Sequence, residues 1–251
     1  MAKTIICINC NHKFQGNFCN NCGQAADTHK LSLHHIWHDL QHGLFHFDNG
    51  IFFTIKQLLT RPGHSIREFV NGKRVRHFKP LSFVVILATF YGLLSHYFIN
   101  ISFYSLPIQE TKDIIGAYGA ISSWILNHLA YSILILIVTT TVASYLTFKK
   151  QGYNIVEHLI LNSFYRGLTL VIALILFPVL YFLQKGGDQG LQVYGVIFPF
   201  LDILSMFWCY YQFFNKLTKL QSLGLTLFTY LFTTIINMVL GYLAGVVVMS
   251  V

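Results

Sequence analysis

The run K-R-V-R-H-F-K-P-L-S-F-V-V-I-L-A-T-F-Y-G-L-L-S-H-Y-F-I-N-I, Lys73 to Ile101, changes character at Pro80. Up to Lys79, five of seven residues are Lys, Arg or His; beyond it no Asp, Glu, Lys or Arg appears until Glu110. A hydrocarbon core ~30 Å thick is crossed by about 20 apolar residues in a helix. Ser82–Ile101 supplies that length. Lys and Arg at one end of a span favour the side on which the chain is made. This stretch therefore reads as the first crossing of a helical membrane domain, entered from a basic cytoplasmic side.

Outward from Ile101, the same signal recurs. No Asp, Glu, Lys or Arg lies between Asp113 and Lys149 or after Lys219. Further spans are expected near Trp124–Phe148, Leu159–Leu183, Gln192–Phe214 and Leu223–Met249. The loops at 149–158 and 215–222 hold Lys149, Lys150, Lys216 and Lys219, whereas 102–123 and 184–191 hold only Lys112 and Lys185. Five crossings with that charge bias put the N-terminus in the cytoplasm and the C-terminus outside. The composition agrees: 54% of the 251 residues are hydrophobic and only 10% charged, against roughly 25% charged in soluble domains. The expected fold is an all-α, polytopic helical bundle of about five spans in a bacterial inner membrane, multi-pass, in contact with the lipid bilayer.

Three zones follow: residues 1–24, 25–80 and the transmembrane domain 81–251. Ten of the 17 Lys and Arg precede residue 80. Leu33, Trp37, Leu40, Leu44 and Phe47 form an apolar stripe at helical spacing, with His34, His38, His42 and His46 opposite and His35 beside them. Asp48-Asn49-Gly50 ends that helix. Ile51, Phe52, Ile55, Leu58 and Leu59 make a second amphipathic face, closed by Arg61-Pro62-Gly63. Ser65 and Glu68 have capping-box spacing for a third helix, which Gly72 stops. Such helices beside a basic strip suit the inner membrane surface, with Arg67, Lys73, Arg74, Arg76 and Lys79 meeting anionic lipid headgroups. Their place beside a span makes nucleic acid an unneeded partner.

The head, C-I-N-C-N-H-K-F-Q-G-N-F-C-N-N-C-G-Q, holds four of the five cysteines. No apolar leader precedes Cys7, so neither a cleaved signal nor a lipoprotein signal fits. In a reducing compartment, thiolates on metal are favoured over disulfides. Two C-x2-C turns at Cys7, Cys10, Cys19 and Cys22 satisfy tetrahedral zinc, and four thiolates leave no open position for catalysis. The reading is a structural Zn2+ ribbon that folds the N-terminus and offers a surface to a cytoplasmic or membrane protein partner. The run C-x2-C…F-x-G-N-F-C-x2-C-G-Q, the His-rich helix, and T-R-P-G-H-S-I-R-E-F-V-N-G-K-R-x-R-H-F-K-P-L-S-F resemble an uncharacterised family of bacterial integral membrane proteins, mainly from Bacteroidota, known only as a domain of unknown function. The resemblance is close over residues 7–83. It implies a zinc-ribbon head, a basic juxtamembrane segment and several spans, and it carries no catalytic residues.

Inside the spans, a charge near mid-bilayer costs at least ~2.5–3.5 kcal/mol on insertion scales, so Asp202 and Arg166 stand out, with His96 and His128 nearer the outer ends. From the boundaries above, Arg166 and Asp202 lie about six residues out of level, ~9 Å at 1.5 Å per residue. They form either a polar clamp or a solute, proton or lipid-headgroup path. Asn162 and Asn237 suit helix-to-helix hydrogen bonds. No nucleophile elbow, phosphate loop, H-E-x-x-H or kinase signature occurs, so the chain reads as a non-enzyme. Interaction or scaffolding at the membrane is the first expectation; a small transporter or lipid-handling protein using Asp202, Arg166, His96 and His128 is the second.

Overall fold

The prolines set where helices begin. In the computed structural model, which describes residues 4–27, 50–99, 124, 128–186 and 188–250, Pro62 and Pro80 each open a helix. Proline suits that place because its missing N–H would have no partner there. Among the described residues the helices are α1 Gly50–Thr60, α2 Pro62–Val70, α3 Pro80–Phe98, α4 Leu129–Thr147, α5 Ile155–Leu183, α6 Asp188–Phe213 and α7 Lys219–Ser250. Five of them are long and apolar enough to cross a membrane: α3, α4 and α5 whole, α6 over Val196–Phe213 and α7 over Lys219–Ala244. The helical five-span bundle expected from the sequence is the fold. The histidine stripe at His34, His35, His38, His42 and His46 lies outside the described residues.

Several helix starts differ from expectation: α6 begins at Asp188 rather than Gln192 and α7 at Lys219 rather than Leu223, and α2 and α5 differ as well. Ser65 and Glu68 do not cap α2, because Pro62 starts it three residues earlier and no side chain caps it. Ser65 is instead buried, its Oγ 2.8 Å from His77 Nε2, and Glu68 pairs with Arg61 at 2.9 Å. Gly72 does stop the helix, at φ +105°. The third span begins at Ile155 rather than Leu159. A complete capping box holds it there: Glu157 N–H donates to Asn154 Oδ1 at 2.9 Å and Asn154 N–H to Glu157 Oε2 at 2.8 Å.

α5 is the hub, packing on α1, α2, α3, α4 and α6, while α7 lies against α4 and α6. Close approach of α3 and α5 depends on Gly167, where an added Cβ would stand 2.5 Å from the Phe83 ring. At the end of the bundle nearest the N-terminal head, here the ribbon end, α2 is clamped onto α6. A Cβ on Gly63 would lie 2.2 Å from the Cys209 carbonyl oxygen. Arg67 Nη1 donates to the carbonyls of Gln212 (3.0 Å) and Phe213 (3.2 Å). A guanidinium so placed satisfies carbonyls left open at a helix C-terminus and complements its negative dipole end.

The head is a two-stranded antiparallel ribbon, β1 Ile5–Ile6 against β2 Lys13–Phe14. Buried Gln24 docks it: its Oε1 accepts from the backbone N–H of Arg74 (3.2 Å) and Val75 (3.3 Å). The head thus sits on the basic strip that leads into α3.

Candidate functional site

Arg166 and Asp202 meet. Each lies 11 residues from the ribbon end of its helix (166 − 155 and 213 − 202), so the two are level. The expected stagger of ~9 Å is absent because α5 starts one turn earlier than the apolar run indicates. Arg166 Nη1 is 3.1 Å from Asp202 Oδ1 and 3.2 Å from Oδ2. Tyr165 OH donates to the same Oδ1 at 2.6 Å, and the Arg166 guanidinium lies 4.7 Å from the Tyr165 ring centre. The side chains of the pair are 12% and 11% exposed. Arg166 Nε has no hydrogen-bond partner among the described residues.

Arg166 also lines a cavity of about 570 Å³. α3 contributes Thr89, Gly92, Leu93, Ser95 and His96; α4 and its cap contribute His128, Tyr131 and Ile133; α5 contributes Thr169 and Ala173. Three of the four polar residues singled out in the spans therefore share one space: Arg166 at its deep end, His96 and His128 at the end away from the ribbon. Asp202 does not line it and acts through Arg166. Cavities of ~300–1,000 Å³ with apolar walls and a few convergent polar groups are the usual form of small-molecule sites. His128 Nδ1 lies 3.0 Å from the Trp124 carbonyl oxygen and its ring stacks on the Trp124 ring at 4.8 Å. That contact places a proton on Nδ1 and leaves Nε2 facing away from the helix cap.

The four head cysteines converge, with all four Sγ atoms within 4.8 Å of one another. Cys7 and Cys22 sulfurs are 3.5 Å apart, Cys10 and Cys19 3.6 Å. A tetrahedron with metal–sulfur bonds of ~2.3 Å has edges of about 3.8 Å, so the set fits such an ion with small adjustment. Asn11 at φ +59° and Gly23 at φ +75° turn the chain after each C-x2-C pair. Hydrogen bonds from the Asn21 side chain and the His12 backbone bring the Cys10 thiol down to about 6; one from the Asn9 side chain lowers the Cys22 thiol below its ordinary value. Burial pushes the Cys7 thiol up to about 11. The donor set suits a metal that takes thiolates.

The basic strip divides. Arg67 is turned into the bundle against α6, as described, with Nη2 2.9 Å from His64 Nδ1. Lys73 Nζ is 3.8 Å from Glu68 Oε1, and Arg74 Nε donates to the Phe69 carbonyl. Arg76 is exposed, while Lys79 is half-buried. His77 is held in an aromatic box of Phe53, Phe69 and Phe164, with ring centres 5.2, 5.8 and 6.4 Å away. Burial there lowers its pKa below the ordinary 6.5, although the Lys73 backbone and Glu68 pull the other way.

A second polar cluster was not foreseen in full. On the ribbon side of Arg166, Asn162 Nδ2 donates to Ser144 Oγ (2.9 Å), Tyr210 OH donates to Asn162 Oδ1 (2.7 Å), and His158 Nδ1 lies 3.0 Å from Ser144 Oγ. All four residues are fully buried. They join α4, α5 and α6, as expected of Asn162 alone. Asn237 does the same between α7 and α4, with Nδ2 3.2 Å from Thr139 Oγ1. The overlooked signal was the spacing His158, Asn162, Tyr165, Thr169, which puts one polar line down α5.

No curated protein and no solved structure matches this chain. A family match leaves the head and the last four crossings uncovered. Residues 48–92, covering α1, α2 and the first two-thirds of α3, match a family described as a protein of unknown function (DUF3667).

Proposed function

We propose that this chain is a multi-pass inner-membrane protein that binds a lipid-phase molecule in the cavity beside Arg166, with its N-terminus in the cytoplasm. The carrying observation is the shared lining: Arg166, His96 and His128, far apart in sequence, face one space of about 570 Å³. A purely structural clamp requires the Arg166–Asp202 pair but no such volume beside it. On this reading Asp202 and Tyr165 hold the guanidinium, and the apolar walls of α3 and α4 take the body of the ligand. The head is a zinc ribbon in which Cys7, Cys10, Cys19 and Cys22 close the shell, so zinc supplies folding energy to a segment too small to fold by burial alone. Arg76, Lys79, Lys73 and Arg74 sit where anionic headgroups of the inner leaflet would meet them.

Native mass spectrometry of the full chain released from detergent tests the binding role. One retained lipid-phase molecule per chain is expected, lost on Gly92→Phe. Equal retention by that variant, or none by either protein, overturns it. A docking role for the ribbon is favoured by a separate observation: Ile6, Ile8 and Phe18 expose 59%, 46% and 67% of their surface on this small head. Full complementation of a deletion strain by the chain lacking residues 1–30 would exclude that role.

A further inference from the structure

We infer that the cavity selects an uncharged lipid whose head carries a carbonyl or hydroxyl oxygen, over an anionic phospholipid; this rests on the binding role proposed above. The charges decide the sign. Among the described lining residues the only Lys, Arg, Asp or Glu is Arg166, and Asp202 already neutralises it at 3.1 Å. A phosphate entering this space would lose its hydration and meet no uncompensated cation, which is costly in a low-dielectric site. A neutral oxygen meets no such penalty.

The hydrogen-bonding inventory decides the head. Arg166 carries five N–H donors, and its contacts with Asp202 use only Nη1. Nη2 remains as a donor for a ligand acceptor, while Nε, also without a partner among the described residues, is enclosed by the protein. At the other end His128, with Nδ1 against the Trp124 carbonyl, offers Nε2 of its neutral form to a ligand hydroxyl. Between them the walls are apolar: Leu93, Ile133, Leu136, Leu170 and Ala173. The space runs from Ala88 to Ile99 on one side, eleven residues or about 16 Å. Access is lateral, because lining residues Leu93 and Tyr131, on α3 and α4, are 53% and 64% exposed. A molecule with an acceptor oxygen, a hydroxyl and an alkyl chain satisfies all three zones.

Gly92 supplies the control. It lines the cavity, and a Cβ built on it meets nothing within 4 Å. A side chain can therefore leave the helix at Gly92 unobstructed, and the ring of Gly92→Phe is placed to fill the space. The full chain is reconstituted in phosphatidylcholine nanodiscs with a diazirine-bearing diacylglycerol, or with phosphatidylglycerol carrying the same photoreactive chain. Labelled peptides are then mapped. The diacylglycerol should label Ala88–Ile99 and His128–Leu136 above the lipid-facing background of Leu227–Leu243. That labelling should fall about tenfold in Arg166→Met/Asp202→Asn, which keeps the site neutral but removes the guanidinium donors, and should disappear in Gly92→Phe. Phosphatidylglycerol should stay at background in the same two segments. Equal or stronger labelling there by phosphatidylglycerol overturns the selectivity while leaving the cavity as a lipid site. Background labelling by both probes overturns the binding role itself.

Discussion

The Arg166–Asp202 pair permits a double-mutant cycle with a calculable outcome. Both residues lie 11 positions, or about 16 Å at 1.5 Å per residue, from the ribbon ends of their helices. That is half of a ~30 Å hydrocarbon core, where the penalty for an unpaired charge is greatest. Asp202→Ala leaves the guanidinium and the Tyr165 hydroxyl without their shared acceptor. Breaking a buried pair from one side costs about 3–5 kcal/mol. Arg166→Ala strands the carboxylate on Tyr165 alone and should cost about 3 kcal/mol. Removing both charges by Arg166→Ala/Asp202→Ala should cost only ~1 kcal/mol, because no buried charge remains. The coupling is then about 5 kcal/mol, 3 + 3 − 1, well above that of independent sites. Thermal unfolding in detergent, followed by circular dichroism, reads it as a Tm loss of roughly 6–12 °C for either single variant. Single losses below ~1 kcal/mol, or a double loss equal to the sum, would refute the assignment of a desolvated pair.

Three other outcomes follow from the ribbon end. Gly63→Ala drives a Cβ to 2.2 Å from the Cys209 carbonyl oxygen, so α2 must lift off α6 and forfeit the Arg67 bonds, about 3–6 kcal/mol; hydrogen exchange over residues 62–70 should rise while that of α5 does not. His77 is held neutral by burial. Its folded pKa is lowered, so stability is flat above the ordinary 6.5 and falls as pH drops below it, by no more than about 1.4 kcal/mol per pH unit; His77→Gln should remove that slope in denaturation measured from pH 7.5 to 5. Stripping the metal with a chelator should unfold residues 4–27 and release Gln24 from Arg74 and Val75. Limited proteolysis should then cleave the head and leave the helical signal of α3–α7 intact; a head that stays protected would count against metal-dependent folding.

Apolar stretches of about 20 residues, three free of Asp, Glu, Lys and Arg and two interrupted only by Arg166 or Asp202, locate crossings without any tertiary knowledge, which is why all five were legible. Their starts were less so. Hydropathy weighs Asn154 and Glu157 as polar and ends the run after them, yet their side chains close the first turn of α5 and extend it outward. That error of one turn is what made Arg166 and Asp202 look out of level. The C-x2-C pairs declared the thiol cluster, because four ligands within 16 residues need only local turns. The cavity was not legible, since it depends on how α3, α4 and α5 pack together. Ser65 shows the converse: capping spacing in the sequence, but a proline three residues earlier made the position interior.

Arg67 grips the last carbonyls of α6, and between Phe213 and Asp202 that helix contains no proline to absorb motion. The largely buried α2 and the Asp202 carboxylate are therefore joined by one stretch of helix without a proline. A force applied to Pro62–Val70 would reach Asp202, and the guanidinium that it holds, along that stretch.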